Sequence, residues 1–229
     1  MKPILIAGSL IICVHVLVLP ASSGIIEFAD SALHEAVLDE LGIHSNLPLF
    51  REDILKLTQL TARGAHISSL EGIEAAVNLQ QLDLRDNDLH DLKPLSGLQQ
   101  LVWLSVRENS AITDLSPLSD LTRLRYLNIN RNENIESIVP LQGLRALEVL
   151  IMRAVPVLHR ADEQQVLTYF TRLERLNVRN TGLTSVAVLL NHLERDGFRE
   201  QLDVRENPLT DAELLEPYSD DIENFSAGL

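Results

Sequence analysis

Arginine follows a Leu-x-Leu unit, or a close variant of it, at six places along the chain. The six residues are Arg63, Arg85, Arg107, Arg153, Arg179 and Arg205. One equivalent position holds Asn130, which is followed by Arg131. Guanidinium groups are planar and always charged, and they bind carboxylate, sulfate or phosphate through paired hydrogen bonds. The pattern therefore indicates recognition of acidic groups.

Two interpretations of these arginines are open. In the first, they bind a partner that carries an acidic surface. In the second, they alternate with nearby carboxylates in a surface ionic lattice, in which each exposed pair stabilises the fold by less than about 1 kcal/mol. The carboxylates available for such a lattice are Asp83, Asp86, Glu108, Glu148, Glu174, Asp203 and Glu206. A repeated cation is notable in either case, because the chain has a formal net charge of −14.

Trp103 and Tyr126 occupy the same position in consecutive repeats of this pattern, which predicts that they lie side by side. Aromatic and arginine side chains are the usual anchors of protein interfaces. We therefore predict a partner-binding site that contains both aromatic residues and the six arginines, centred on Trp103, Tyr126, Arg107 and Arg85. An incidental aromatic contact that closes a groove is the alternative.

Residues that could catalyse a reaction or hold a metal are scattered along the chain. The histidines after residue 23 are His34, His44, His66, His90, His159 and His192. None of them has the spacing of a zinc site, and the chain contains neither a nucleophile elbow nor a glycine-rich phosphate loop. The sequence thus predicts a protein that is not an enzyme and needs no metal or cofactor.

A leucine-rich frame must position the arginines, and it repeats from about residue 57 onward. Its clearest copy starts at Leu79, reads Leu-x-x-Leu-x-Leu-x-x-Asn-x-Leu-x-x-Leu-x-x-Leu, and has a period of 22 residues. The Leu-x-Leu piece predicts a short strand with inward leucines, and stacked copies pair these strands into a parallel sheet. The asparagine satisfies backbone groups where the chain leaves the sheet, while residues between and just after the leucines face outward.

These repeats resemble the bacterial internalin-like leucine-rich-repeat family of the 22-residue type. Proline in the convex segment of successive repeats, at Pro94, Pro117 and Pro140, matches the usual pattern of that family. The segment 25–42 resembles the helical cap that precedes such arrays. The resemblance implies an α/β solenoid with the shape of a horseshoe, in which a parallel concave sheet binds partner proteins.

The predicted organisation has four parts. They are a signal peptide at 1–23, a helical N-terminal cap at 24–56, about seven leucine-rich repeats at 57–209 with the last incomplete, and a C-terminal cap and tail at 210–229. Helical stretches from Asp162 to Phe170 and from Ser185 to Arg195 predict longer convex helices toward the C-terminus. Within the cap, Asp30 or Ser31 is expected to begin a helix that ends at Gly42.

The first residues are typical of a secretory signal peptide, with an apolar run from Ile4 to Leu19 and predicted cleavage after Ser23. The run is shorter than the roughly 20 residues that span a bilayer, and an uncleaved anchor is the alternative. The only cysteine, Cys13, would leave with this segment, and Ile12 before it disfavours lipid attachment. We therefore predict a secreted or periplasmic protein without cysteine.

Cleavage would also remove Lys2 and change the formal net charge from −14 to −15, because residues 1–23 contain no acid. A charge of this sign disfavours nucleic acid and anionic membranes as partners. We predict a monomer, with no membrane contact after cleavage, that binds a protein with an acidic surface on its concave face. The alternative is a structural or envelope-associated solenoid that has no dedicated ligand.

Overall fold

The computed structural model describes residues 24–195, 198–219 and 225–226. The predicted signal peptide, its cleavage site and Cys13 lie outside these residues. Within the described part of the chain, no helix is long and apolar enough to cross a membrane.

Helix α1, Ser31–Leu41, packs against the first repeat. It begins where the Asp30 carboxylate accepts hydrogen bonds from the backbone N–H groups of Ala32 (2.9 Å) and Leu33 (3.2 Å), as is usual for an aspartate before a helix. It ends at Gly42, whose φ of 66° lies in the left-handed region that glycine tolerates. Its buried face consists of Leu33, Val37 and Leu38.

Helix α2, Arg51–Ile54, leads into the first strand. The chain tightens after Ile54, because Leu57 N–H donates to the Ile54 carbonyl three residues earlier (3.1 Å). Phe50, before the helix, forms an antiparallel bridge with Ile25. The N-terminal segment is therefore tied to the start of α2.

The repeats form one parallel sheet in which eight strands follow one another in chain order. The central residue of each of the first seven strands is a buried leucine, in register with the leucines of its neighbours. The strands are β1 Gln59–Thr61, β2 Gln81–Asp83, β3 Trp103–Ser105, β4 Tyr126–Asn128, β5 Val149–Ile151, β6 Arg175–Asn177, β7 Gln201–Asp203 and β8 Phe225–Ser226. The predicted solenoid with a parallel sheet is confirmed.

Buried asparagines connect successive repeats where each chain turns away from the sheet. Asn109 is fully buried; its Oδ1 accepts the N–H of Leu89 (3.1 Å), and its Nδ2 donates to the carbonyls of Leu84 (2.9 Å) and Val106 (3.0 Å). Asn132 continues the series, since its Oδ1 accepts the N–H of Asn109 (2.7 Å). Asn109 therefore satisfies backbone groups of its own and the preceding repeat, and Asn132 those of the repeat before it, where the frame predicted such bonds.

The other side of the solenoid is made mainly of 3-10 helices, with two short α-helices toward the C-terminus. The 3-10 helices are Ile73–Ala75, Lys93–Leu95, Ser116–Leu118, Val139–Gly143, Leu167–Tyr169, Ala187–Leu189 and Ala212–Tyr218. The α-helices are α3, Ala161–Val166, and α4, Leu190–Leu193.

The longer convex helices toward the C-terminus are confirmed, but each is interrupted. The predicted helix from Asp162 to Phe170 is α3 followed by a 3-10 turn, and the predicted helix from Ser185 to Arg195 is a 3-10 turn followed by α4. The 3-10 parts are closed by hydrogen bonds between residues three apart, as from the Leu189 N–H to the Val186 carbonyl (2.8 Å). In 210–229, predicted as cap and tail, Leu215 is buried and β8 pairs with β7.

A buried glutamate anchors α3 to the preceding repeat. Glu163 is fully buried, and its carboxylate accepts hydrogen bonds from the Ser137 hydroxyl (2.7 Å) and the Ile138 N–H (2.7 Å). It also pairs with Arg160. A buried charge is tolerated when it is paired and hydrogen-bonded in this way. The contact holds the helical repeat onto the 3-10 repeat before it.

His192 in α4 is buried between repeats. Its Nε2–H donates to the Phe170 carbonyl (2.9 Å), its ring stacks on Phe198 at 5.4 Å, and its Nδ1 is buried without a partner among the described residues. Burial lowers the pKa of His192 below its ordinary value of 6.5; the Phe170 hydrogen bond opposes this effect and the charge of Arg195 adds to it. The native protein therefore resists protonation of this ring.

We expect this histidine to make unfolding easier as the pH falls below 6.5, the ordinary histidine pKa. In that range the unfolded chain binds a proton that the folded chain binds only at lower pH, so one such group contributes a slope of up to about 1.4 kcal/mol per pH unit. Urea unfolding of the parent and of His192→Gln between pH 8 and 5 measures the difference. The variant should lose this part of the slope, and equal slopes in the two proteins would show that His192 does not cause it.

Candidate functional site

The outer face of the sheet carries three columns of side chains that run across β1 to β7. The first column precedes the central leucines and contains Gln59, Gln81, Trp103, Tyr126, Val149, Arg175 and Gln201. The second follows them and contains Thr61, Asp83, Ser105, Asn128, Ile151, Asn177 and Asp203. Two residues further on, the third contains Arg63, Arg85, Arg107, Asn130, Arg153, Arg179 and Arg205. We call these 21 positions the concave face.

The six predicted arginines lie in one continuous column because the backbone ladder extends past the strands. The carbonyl of Arg107 accepts the N–H of Asp86 (2.9 Å), and the carbonyl of Arg153 accepts the N–H of Arg131 (2.9 Å). The residue after each column position then takes a positive φ, at Gly64, Asp86, Glu108, Arg131, Ala154, Asn180 and Glu206. This left-handed residue turns the chain away from the sheet, so every arginine ends its strand in the same way.

At the N-terminal end of the concave face, the arginines are neutralised internally. The Asp83 carboxylate, only 4% exposed, accepts hydrogen bonds from Arg63 Nε (2.8 Å) and from Arg85 Nε (2.9 Å) and Nη2 (2.8 Å). Burial opposes ionisation of Asp83, but these hydrogen bonds outweigh it and hold its pKa below the usual value. Arg63 and Arg85 are therefore part of an ionic lattice, as the second interpretation of the sequence proposed.

The C-terminal end repeats the same arrangement. The Asp203 carboxylate, 2% exposed, accepts hydrogen bonds from Arg205 Nε (2.9 Å) and Nη2 (2.8 Å), and Arg179 pairs with Glu206. Burial opposes ionisation of Asp203, yet its hydrogen bonds with Arg205 keep its pKa below the usual value. At both ends of the concave face, carboxylates of the protein itself therefore neutralise the arginines.

The centre of the concave face differs, because it is aromatic and aliphatic. Trp103 and Tyr126 lie directly opposite each other in register, and their rings stack with centroids 4.7 Å apart and planes 11° apart. The predicted adjacency of these two residues is observed. Val149 and Ile151 on β5 are also partly exposed, which brings four apolar side chains together over three strands.

Two of the arginines near the centre have no carboxylate partner in the described structure, whereas Arg107 has one. Arg107 donates to Glu108 (3.1 Å), which also binds Arg131 (2.5 Å), and the Nε of Arg107 is buried without a partner in the described structure. Arg153 and Arg175 have no carboxylate within 4 Å among the residues that the structure describes. The ionic lattice is therefore interrupted at β5 and β6, where Arg153 and Arg175 lie.

Sequence reasoning missed Val149, Ile151 and Arg175 as members of the site. The frame did contain a signal for them, since Val149 and Arg175 directly precede a strand leucine, as Trp103 and Tyr126 do. Over the whole concave face, seven arginines face two aspartates, although the chain carries a formal net charge of −14. The face is a positively charged area on an acidic protein.

Metal chemistry finds no support in the described residues, where no group of three or more His, Cys, Asp or Glu side chains is placed to hold an ion. The buried His192 belongs to the convex side, and His66 contacts Asp88 (3.3 Å) at an exposed turn. The arginine and aromatic side chains of the concave face can make hydrogen bonds, ion pairs and stacking contacts.

Comparison with known proteins agrees with this architecture. Residues 99–146 match the family model described as leucine-rich repeats, two copies. No curated protein sequence matches the chain significantly. The repeats and their sheet thus define a leucine-rich-repeat protein.

Solved structures show which leucine-rich-repeat proteins this chain is similar to. An internalin (inlF) from Listeria monocytogenes str. 4b F2365 is 30% identical, with a TM-score of 0.75 over 86% of this chain and 56% of that one. Internalin C2 of the same strain shares the fold at 21% identity, with a TM-score of 0.72 over 87% of this chain and 93% of that one. The chain is similar to bacterial internalins in its repeats and fold, and it spans about half the length of the inlF chain.

Proposed function

We propose that this protein is an exported binding module that recognises a partner protein on its concave face. Leucine-rich-repeat solenoids present extended concave surfaces, and they bind other molecules on these surfaces. The observation that carries the proposal is the centre of the concave face, where Trp103 stacks on Tyr126 and, in the next two repeats, Arg153 and Arg175 have no carboxylate within 4 Å among the described residues. Exposed aromatic and arginine side chains of this kind are the usual binding hot spots.

The predicted signal peptide at 1–23 supports export, and therefore a secreted or periplasmic location. The net charge of −14 supports a protein partner over nucleic acid or an anionic membrane. Such a partner would approach a face that is positive only locally, so an acidic contact area on the partner is part of the proposal.

A structural solenoid without a ligand is the second candidate. It is favoured by the ends of the concave face, where Asp83 and Asp203 already bind their neighbouring arginines. A protein of this kind needs nothing further to neutralise these positions. The two functions therefore differ in what the centre of the face does.

Affinity capture from extracellular and envelope extracts distinguishes the two candidates. The purified protein should capture a defined partner, and Trp103→Ala with Tyr126→Ala should weaken the purified complex by about 1,000-fold, because hot-spot truncations cost about 2 kcal/mol each. The matched control is Leu47→Ala with Val77→Ala, which truncates two exposed apolar side chains outside the concave face. Equal capture by both double variants, or no specific partner, would favour the structural solenoid.

A further inference from the structure

We infer that the partner binds the centre of the concave face through a short extended segment, which places an apolar side chain against Trp103 and Tyr126 and a carboxylate near Arg153 or Arg175. This inference rests on the proposed function. It adds the chemical character of the partner segment and the residues of this protein that bind that segment.

The apolar half of the inference follows from the register of the strands. Trp103 pairs with Tyr126, Tyr126 with Val149, and Val149 with Arg175. Ile151 lies on the same face of β5, one column further along. Adjacent strands are about 4.8 Å apart, so the row from Trp103 to Arg175 spans roughly 14 Å. An extended segment of about four residues has this length.

The charged half follows from which arginines lack a partner. Arg175 flanks Val149 on the next strand, and its Nε is buried with no hydrogen-bond acceptor in the described part of the chain. Arg153 lies two residues after Ile151, just past the end of β5, and has no carboxylate within 4 Å among the described residues. The buried Nε of Arg175 is shielded from water without an acceptor among the described residues, and a carboxylate from a partner would supply the missing bond.

Glu206 does not take this role for Arg153. Its pKa is lowered chiefly by its hydrogen bond with Arg179, although burial opposes this and the charges of Arg179 and Arg153 add to it. Arg153 therefore acts on Glu206 only through space. The guanidinium donors of Arg153 remain available to a ligand.

The pattern favours a protein segment over a polyanion. A phosphate- or sulfate-rich polymer would gain little from the apolar row and would be repelled by a chain of formal net charge −14. A segment with one or two carboxylates beside aromatic or aliphatic side chains matches both halves of the site. The self-neutralised ends at Asp83 and Asp203 limit the binding centre to β3–β6.

Selection from a library of displayed random twelve-residue peptides tests this chemistry directly. We expect enrichment of peptides in which aspartate or glutamate lies within four residues of an aromatic or aliphatic side chain. Because Trp103 is the only tryptophan of the chain, the fluorescence of the protein reports binding of an enriched, tryptophan-free peptide at the site itself. Its dissociation constant should rise with salt concentration.

Two double variants separate the binding arginines from the lattice arginines. Arg153→Gln with Arg175→Gln should weaken the enriched peptide by at least about tenfold, because each change leaves a buried carboxylate without its partner. Arg63→Gln with Arg205→Gln removes the same total charge from the ends of the face and should change binding less than about twofold. Circular dichroism and urea unfolding establish that both variants are folded.

Each outcome decides the inference separately from the proposed function. Peptides that are basic, or that lack acids, would overturn it, as would no enrichment or equal weakening by the two double variants. If Trp103→Ala with Tyr126→Ala abolishes capture of the natural partner while Arg153→Gln with Arg175→Gln does not, the inference fails and the proposed function stands. If neither double variant affects that capture, both fail.

Discussion

Asn109→Ala should lower the free energy of unfolding by about 3 to 5 kcal/mol, because it leaves several buried backbone groups without partners. The side chain accepts the N–H of Leu89 and donates to the carbonyls of Leu84 and Val106, two of them in the neighbouring repeat. Alanine can replace none of these bonds, and Asn109 is fully buried, so bulk water does not contact the backbone groups that would lose their partners. Urea unfolding followed by circular dichroism measures the loss.

Asn134→Ala is the matched control for this prediction. Asn134 also donates its side-chain amide to a backbone carbonyl, that of Ser110 (2.8 Å), but at an exposed position. Water can replace the lost bond there, so the change should cost less than about 0.5 kcal/mol. If both variants unfolded at the same urea concentration, the buried asparagine series would not be a main source of stability.

Gly72→Ala should destabilise the protein by about 3 kcal/mol or more, because the chain has neither the space nor the backbone conformation for a side chain at this residue. Gly72 has a φ of 106°, and a Cβ placed on it would lie 2.5 Å from the Glu27 carbonyl oxygen and 2.8 Å from Phe28 Cδ1. The glycine allows the N-terminal segment to pass over the first repeat. Its replacement should loosen that contact before the later repeats unfold.

Gly97→Ala provides the comparison, since a Cβ at Gly97 meets nothing within 4 Å. Its effect should stay within about 1 kcal/mol of the parent, with either sign. Thermal unfolding of the two variants, with hydrogen exchange of residues 24–75, measures both stability and where it is lost. Normal stability and exchange in Gly72→Ala would show that the N-terminal segment can move aside without cost.

The ionic lattice and the proposed binding site are alternative interpretations of the sequence, and in our proposal they occupy different parts of the concave face. Asp83 and Asp203 lie in the second column, each next to the arginines that it binds. Between them the second column holds Ser105, Asn128, Ile151 and Asn177, none of which is charged. A single column can therefore stabilise the fold at its ends and leave its centre for a partner.

Much of this architecture is determined by local sequence. Leucine every two or three residues can bury its side chain only if copies stack, and buried asparagine can satisfy its amide only at the turn between them. These two constraints predicted the parallel sheet, the arginine column and the contact between Trp103 and Tyr126. They act within one repeat or between neighbouring repeats, so the repeat period is sufficient to derive them.

Tertiary structure decided the rest, because it depends on which side chains meet across strands. Only the folded sheet shows that Asp83 binds Arg63 and Arg85 while Arg153 has no carboxylate within 4 Å in the described chain. Only the folded structure shows that the convex helices change from α to 3-10 geometry and that Glu163 is buried against Ser137. The sequence by itself determined the solenoid and the column of arginines; the pairing of charges between repeats determined which of those arginines have an internal carboxylate.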